Sequence, residues 1–197
     1  MATTEQIKLL REQTAAGMLD CKKALDLHNG DLEKAASWLR EKGLAAAAKK
    51  ASRDAHDGII EAYTHLGGRM AVLVEVNCET DFVARTAEFK TLAHDMALQV
   101  ASTGPEYVKK EDIPAALIDA KKEQFKQEAI SEGKKPEIAE RIALGKMEKY
   151  YQDVCLLEQQ FVKDDKVKVA DLIKNAVAKI GENVVVRRFV RFEIGGQ

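Results

Sequence analysis

Side chains that could act as nucleophiles, general bases or metal ligands are few and scattered in this sequence. Four histidines and three cysteines are present, namely His28, His56, His65, His94, Cys21, Cys78 and Cys155. None of them stands in nucleophile or metal-ligand spacing, and no cluster has the spacing of a zinc site. Neither of the two glycine-rich phosphate-binding patterns, G-x-x-x-x-G-K-[ST] and G-x-G-x-x-G, occurs in the sequence. We therefore predict no catalytic residue, no metal and no cofactor, and we predict that the chain is not an enzyme.

The composition indicates a soluble protein with a buried core. Of the 197 residues, 46% are hydrophobic and 32% are charged, and the formal net charge is −1. Such a chain has no overall field that attracts nucleic acid or acidic lipid, so we predict neither partner. Three widely spaced cysteines without a C-x-x-C pair indicate free thiols in a reducing compartment. Without a leader or a long apolar run, a cytoplasmic location is expected.

The remaining candidates are residues that could bind another protein. The strongest of them is an aromatic residue in the segment 76–85, VNCETDFVAR. Phe82 lies where a strand pattern changes to a helix pattern. It precedes Phe89 by seven residues, so on a continuous helix both rings would face one core. Thr80, Asp81 and Thr86 instead favour caps and turns, which would place Phe82 on a short turn before the main helix. The residues alone leave both interpretations open.

A second candidate is the apolar pair Met18-Leu19, which follows Gly17 at a helix entry. Such a pair usually packs into the core as a hydrophobic staple. The alternative is an exposed anchor, because methionine suits adaptable protein surfaces. Arg11 lies one helix earlier in the chain.

The N-terminal elements that position the second candidate are helical. We predict helices at 4–13 and 18–28, and a third that follows Asp31 as its cap and ends before Gly43. Residues 1–43 would form a three-helix module that resembles the ubiquitin-associated type. Residues 44–55 are rich in alanine and lysine and are predicted to form a semi-rigid helical linker.

From residue 56 the hydrophobic period changes from 3.6 to 2, which predicts an α+β domain over 56–197. Strands are expected at 58–65 and 70–77, joined by a turn at Gly67-Gly68, and a third strand at 183–194. They would form a small antiparallel three-stranded sheet packed with helices, with exposed edges. A protruding antiparallel helical hairpin is predicted at 114–152, and the segment 155–167 gives no clear pattern beyond a turn and a short strand.

Two long stretches of this sequence resemble the signatures of translation elongation factor Ts. The first is LREQTAAGMLDCKKAL at 10–25, in which positions 15 and 19 are not part of the match, and the second is EVNCETDFVAR at 75–85. The alanine and lysine linker and the ending KIGEN at 179–183, followed by a Val/Arg/Phe strand, are similar to the same family. The resemblance extends over essentially the whole chain.

The resemblance implies a guanine nucleotide exchange factor for elongation factor Tu, the GTPase that carries aminoacyl-tRNA to the ribosome. It implies that Thr80, Asp81, Phe82 and Val83 press on the GTPase domain and that the phenylalanine disturbs magnesium coordination there. It also implies a second contact through three residues of the N-terminal module, namely Arg11, Met18 and Leu19. Family members typically carry methionine where this chain has Leu19.

The length of the chain fits one copy of the α+β core, whereas longer family members carry two. The resemblance then implies a homodimer that forms a two-plus-two complex with elongation factor Tu, GDP-bound or nucleotide-free, and Val190 could lie in the dimer interface. One alternative is a ubiquitin-associated-type dimeric adaptor without exchange activity. Another is a small enzyme that uses a carboxylate or Cys78.

Overall fold

The computed structural model describes residues 2–14 and 16–195, with only the backbone described at Leu66. The chain divides into two compact units. The first comprises residues 1–58, 77–89 and 173–185, and the second comprises 59–76, 90–172 and 186–197. Within the described ranges, no helix combines the length and the apolarity needed to cross a membrane. The end of the tail, 196–197, lies outside the described residues.

The first three helices form a small bundle around a shared core in the first unit. They are α1 (Thr4–Thr14), α2 (Met18–Leu27) and α3 (Leu32–Lys50). Thr3 and Gln6 form a reciprocal cap at the start of α1, the pairing known as a capping box. Asp31 accepts a hydrogen bond from Lys34 N at the start of α3. The fully buried core residues of the bundle are Leu10, Cys21, Ala24, Leu25 and Ala35.

The predicted end of the third helix at Gly43 is wrong, because α3 continues to Lys50. A glycine inside a helix costs about 1 kcal/mol relative to alanine, so we expected a terminus there. A Cβ built on Gly43 would lie 3.0 Å from the Cβ of Ala178, on α8 (Val169–Ile180). Gly43 therefore permits close helix packing. The helical part of the predicted 44–55 linker is the end of α3, and the boundaries of a separate 1–43 module remain a prediction.

The predicted α+β architecture is confirmed. Strands β1 (Asp57–Thr64), β2 (Met70–Cys78) and β5 (Val185–Glu193) form a three-stranded antiparallel sheet with β2 in the centre. Between β2 and the next long helix lies a single turn, α4 (Asp81–Ala84), followed by α5 (Ala87–Thr103). Along β2 the side chains of Val72, Val74 and Val76 are buried, as the alternation predicts.

The predicted helical hairpin consists of α6 (Ala115–Ser131) and α7 (Pro136–Val154). Its turn has Gly133 at φ +83°, and ion pairs join the two helices, among them Lys146 Nζ to Glu128 Oε2 at 2.8 Å. Gly145, inside α7, has open space where a Cβ would stand. In contrast to Gly43, this glycine has no packing role.

A second, two-stranded sheet formed by β3 (Gln160–Phe161) and β4 (Asp164–Lys168) was not predicted beyond one short strand. The fully buried Gln99 on α5 anchors it. Its amide donates to Gln160 O at 3.1 Å and accepts from Val162 N at 2.8 Å. Because glutamine normally lies on a helix surface, its burial could not be read from periodicity.

Candidate functional site

The candidate site is built on the turn that links β2 to α5. Thr80 is the N-cap of α4, and its hydroxyl accepts a hydrogen bond from Val83 N. Thr86 caps the following helix, because its hydroxyl accepts from Phe89 N at 3.2 Å, and it also donates to Val83 O at 2.8 Å. Two caps six residues apart interrupt the helix, so residues 82 and 89 do not share a continuous helical face.

This interruption decides between the two interpretations of Phe82. Its side chain is 80% exposed, whereas Phe89 is fully buried. The ring is therefore displayed to solvent, and the core interpretation is wrong. Val83 is half-buried and Ala84 is buried, so the turn is attached to the core through the residues that follow the ring.

Asp81 shows the electrostatics of the turn. Its carboxylate lies 2.7 Å from the guanidinium of Arg85, one helical turn later. The Arg85 side chain is 77% exposed and that of Asp81 is 46% exposed, so solvent screens this pair and it contributes less than about 1 kcal/mol. A carboxylate in the first turn of a helix is also favoured by the helix dipole. Asp81 is half-buried and remains in reach of a partner.

The other predicted binding residues lie in the N-terminal bundle. Arg11 is exposed in the last turn of α1. Met18 and Leu19 occupy the first turn of α2 and are 58% and 85% exposed. The staple interpretation is wrong for this pair, because Cys21 takes the inward position of that turn. Both predicted contact segments belong to the first compact unit.

A cleft of about 540 Å³ lies beside these residues and was not predicted from the sequence. It is lined by α1, α2, α3 and α8, including Glu12 and Gly17, the neighbours of Arg11 and Met18. An ion pair between Lys42 Nζ and Asp20 Oδ1, 2.5 Å long, joins α3 to α2. The three predicted contact residues do not line this cleft.

Cys78 is the potential nucleophile closest in sequence to the turn, and its environment makes it unreactive. The side chain is fully buried and its Sγ donates to Thr80 O at 3.2 Å. Burial, with a smaller contribution from the nearby carboxylate of Glu182, raises the pKa of the Cys78 thiol to about 11. A thiol with this pKa is almost entirely protonated near neutral pH, and the thiolate is the reactive form. Within 2–14 and 16–195, no three His, Cys, Asp or Glu residues cluster as metal ligands.

Sequence reasoning missed the residues that hold the turn from outside. Glu182 and Asn183, just after α8, contact Glu79 and Thr80 through four hydrogen bonds. Two signals were present: a polar pair after a glycine at the end of an amphipathic helix, which is also typical of an ordinary surface loop, and the place of both residues in the KIGEN stretch that resembles the family. Neither signal names the partners of the pair. Their partners are about one hundred residues earlier in the chain, and no local pattern reveals such a contact.

Comparison with known proteins gives a consistent result. The sequence model of the family described as Elongation factor TS matches residues 22–196. The elongation factor Ts of Carboxydothermus hydrogenoformans is 54% identical over 195 residues, which cover 99% of this chain and 90% of the relative. That of Heliobacterium modesticaldum is 56% identical, with 99% and 91% covered. That of Herpetosiphon aurantiacus is 56% identical over 191 residues, with 97% and 96% covered.

These relatives are close to this chain in length, and an alignment over 195 of 197 residues includes both candidate binding segments. Such identity over nearly the whole chain confirms the resemblance found in the sequence. The chain therefore belongs to the elongation factor Ts family, whose members are elongation factors of translation.

Proposed function

We propose that this protein is a guanine nucleotide exchange factor for elongation factor Tu. In this proposal, residues 80–83 insert Phe82 near the nucleotide and magnesium site of the partner, so that GDP leaves and GTP can rebind. One observation carries the proposal: in an elongation factor, Phe82 is 80% exposed on a turn that is capped at both ends. The chain is a translation factor rather than an enzyme, and exchange makes and breaks no covalent bond.

The physical chemistry of exchange suits such a ring. Mg²⁺ bridges nucleotide phosphates to protein oxygens, so its displacement weakens GDP binding. A factor that binds the nucleotide-free state preferentially must, by reciprocity, lower nucleotide affinity. Burying one aromatic ring contributes about 1.5–3 kcal/mol, which corresponds to roughly ten- to a hundredfold in an equilibrium constant. A larger effect requires a second contact.

The N-terminal bundle supplies that second contact in our proposal. Leu19 and Met18 are exposed apolar side chains at a helix start, and Arg11 is an exposed cation nearby in sequence. Two adjacent apolar side chains at a helix start can be buried together by a partner, which removes their apolar surface from water. We propose that these three residues bind the same GTPase domain as Phe82.

We further propose a homodimer that forms a two-plus-two complex with elongation factor Tu. The face of the sheet that carries Leu73 and Val190 is apolar and exposed. Its further exposed members are Ile60 and Phe192. Arg188, on the same face, pairs with Glu75 at 2.7 Å, so the polar groups of this face are partly matched within the chain. A second copy that covers this face would bury Val190 in the dimer interface.

The remaining predictions follow from this role. Aminoacyl-tRNA delivery takes place on ribosomes, so we propose a cytoplasmic location, in agreement with the three free cysteines. Elongation factor Tu, GDP-bound or nucleotide-free, is the proposed partner. No direct contact with nucleic acid or a membrane is proposed.

The decisive experiment measures GDP release. Elongation factor Tu is loaded with a fluorescent GDP, and release is followed after addition of this protein together with excess unlabelled GDP. We expect release to accelerate with protein concentration until it saturates. An adaptor of the ubiquitin-associated type would bind without changing the release rate, and that result would reject the exchange proposal.

A further inference from the structure

We infer that Glu182 is a positioning residue that sets the orientation of the turn 80–83 and hence of Phe82. The expected effect of Glu182 on GDP release rests on the proposed function. Its expected effect on the turn rests on the structure alone. Glu182 is distant in sequence from both candidate binding segments, and nothing in its local sequence indicates this role.

The geometry of the contact is that of one carboxylate holding two consecutive residues. Oε2 of Glu182 accepts hydrogen bonds from the backbone N of Glu79 at 3.1 Å and of Thr80 at 3.0 Å. Oε1 accepts from the Thr80 hydroxyl at 2.7 Å. Three donors on one carboxylate fix the direction in which the chain leaves β2 and enters α4, because each bond to a charged acceptor is stronger than a neutral one.

The hydrogen bond from the Thr80 hydroxyl to Glu182 also affects the turn itself, because this hydroxyl caps α4. The hydroxyl proton points to Glu182, so its lone pairs are free to accept from Val83 N, the bond that caps α4. A hydroxyl has one proton and two lone pairs, so both of its roles are assigned. Glu182 thereby orients the cap of the four-residue helix that carries Phe82.

Neighbouring contacts make the anchor rigid. Asn183 N donates to Glu79 Oε1 at 2.7 Å, and the Asn183 side-chain amide donates to Arg53 O at 2.7 Å. Asn183 is buried. Gly181, at φ +89°, ends α8 and turns the chain toward these partners. Residues 182 and 183 therefore tie the start of the turn to the segment after α3.

Electrostatics argues that Glu182 is more than a solvated surface residue. A carboxylate just beyond the C-terminal end of a helix faces the negative end of the helix dipole, which is unfavourable. Glu182 stands two residues beyond the end of α8 at Ile180. The three donors of Glu79 and Thr80 offset this cost, so the side chain is held where an unpaired carboxylate would be disfavoured.

The first test needs no partner and follows amide hydrogen exchange of the full-length protein. In E182A, the amides of Glu79 and Thr80 are expected to exchange about ten- to a hundredfold faster, the range for losing a hydrogen bond to a charged acceptor. Amides of the central strand, such as Val74, should keep their protection. E137Q, which changes an exposed glutamate on the first turn of α7, serves as the control for loss of a carboxylate.

The second test is a double-mutant cycle on GDP release. If Glu182 acts through Phe82, E182A lowers the release rate about tenfold in the natural sequence and has little further effect in F82A. E182Q should restore part of the loss, since its amide oxygen can still accept from both backbone N–H groups. A merely structural role predicts instead equal losses in both backgrounds and no rescue. Should E182A unfold, E182Q replaces it, and its loss of GDP release is compared in the natural sequence and in F82A.

The outcomes separate this inference from the proposed function. Wild-type protection at Glu79 and Thr80 in E182A, together with an unchanged release rate, overturns the inference and leaves the exchange proposal intact. No acceleration by the wild-type protein overturns the exchange proposal. In that case, faster amide exchange at these two residues still supports Glu182 as the residue that positions the turn.

Discussion

Two phenylalanines of this chain are exposed in different ways. Phe82 is 80% exposed on a four-residue helix, beside Asp81 and before the half-buried Val83. Phe192 is 68% exposed on strand β5, on the sheet face that also carries Val190 and Leu73. The first is a single ring on a polar turn, and the second is part of an extended apolar surface.

This difference indicates different uses. A single ring on a rigid turn can enter a small cavity and change what lies inside it. An extended apolar face on a sheet is suited to a broad and flat contact, which stable association requires. We therefore assign Phe82 to exchange and Phe192 to dimerisation, and the following predictions test that division in order of expected effect.

The largest effect is expected at the sheet face. The substitution F192D places a carboxylate where the second copy would bury an apolar ring, so dimer affinity should fall by at least about a hundredfold. Sedimentation or light scattering over a concentration series measures it, with F192L as the control that keeps an apolar side chain. A dimer unaffected by F192D would move the interface away from this face.

The next effect is expected at the turn. F82A should reduce stimulated GDP release about ten- to a hundredfold, because the ring would be buried only in the complex. Its unfolding free energy should change by no more than about 0.5 kcal/mol, since the ring is exposed in the free protein. Fluorescent GDP release and chemical denaturation measure the two quantities. A normal rate of GDP release with F82A, or loss of the dimer in F82A, would contradict the assignment of Phe82 to nucleotide exchange.

A smaller effect is expected in the N-terminal bundle. L19A removes part of an apolar contact, so we expect about a three- to tenfold higher protein concentration for half-maximal release. The matched control is L27A, an exposed leucine near the other end of the same helix α2, which should behave as wild type. Equal effects of the two substitutions would argue against a specific contact at Leu19.

The smallest effects are expected from alanine substitutions of two glycines, one in each of the units that carry these phenylalanines. G43A brings a methyl group to 3.0 Å from Ala178 and should lower the unfolding free energy by about 1 kcal/mol or more. G145A meets open space and should raise it by about 0.4–1 kcal/mol, because alanine restricts the unfolded chain. Thermal or denaturant unfolding measures both. An unfolding free energy of G43A that is equal to or above that of the natural sequence would show that close packing at Gly43 is not required.

Much of the fold follows from patterns that are local in the sequence. The alternation of Val72, Val74 and Val76 predicted a strand buried on one face, and Asp31 was correctly predicted as a helix cap. The turn at Phe82 was also readable, because threonine at 80 and 86 prefers caps to helix interiors. Periodicity alone could not decide the exposure of the ring, since seven residues is also a helical repeat.

What the sequence could not reveal depends on contacts between distant segments. Gly43 indicates a helix end in the sequence, whereas in the fold it lies inside a helix and packs against Ala178. Gln99 is buried because the backbone of 160–162 satisfies the hydrogen bonds of its amide. Glu182 bonds to Thr80 across 102 positions of the chain. In each case an unfavourable local choice is compensated by a partner elsewhere, and only the folded chain supplies that partner.

The burial of the thiols has a practical consequence for experiments on this protein. All three cysteines are buried, and burial raises the pKa of both Cys78 and Cys155 to about 11. A maleimide dye reacts with exposed thiolates, so the natural cysteines should react slowly in the folded state. A single cysteine placed at an exposed position such as Leu144 on α7 could then be labelled without removing any natural thiol. Complex formation could be followed by fluorescence on an otherwise unaltered chain.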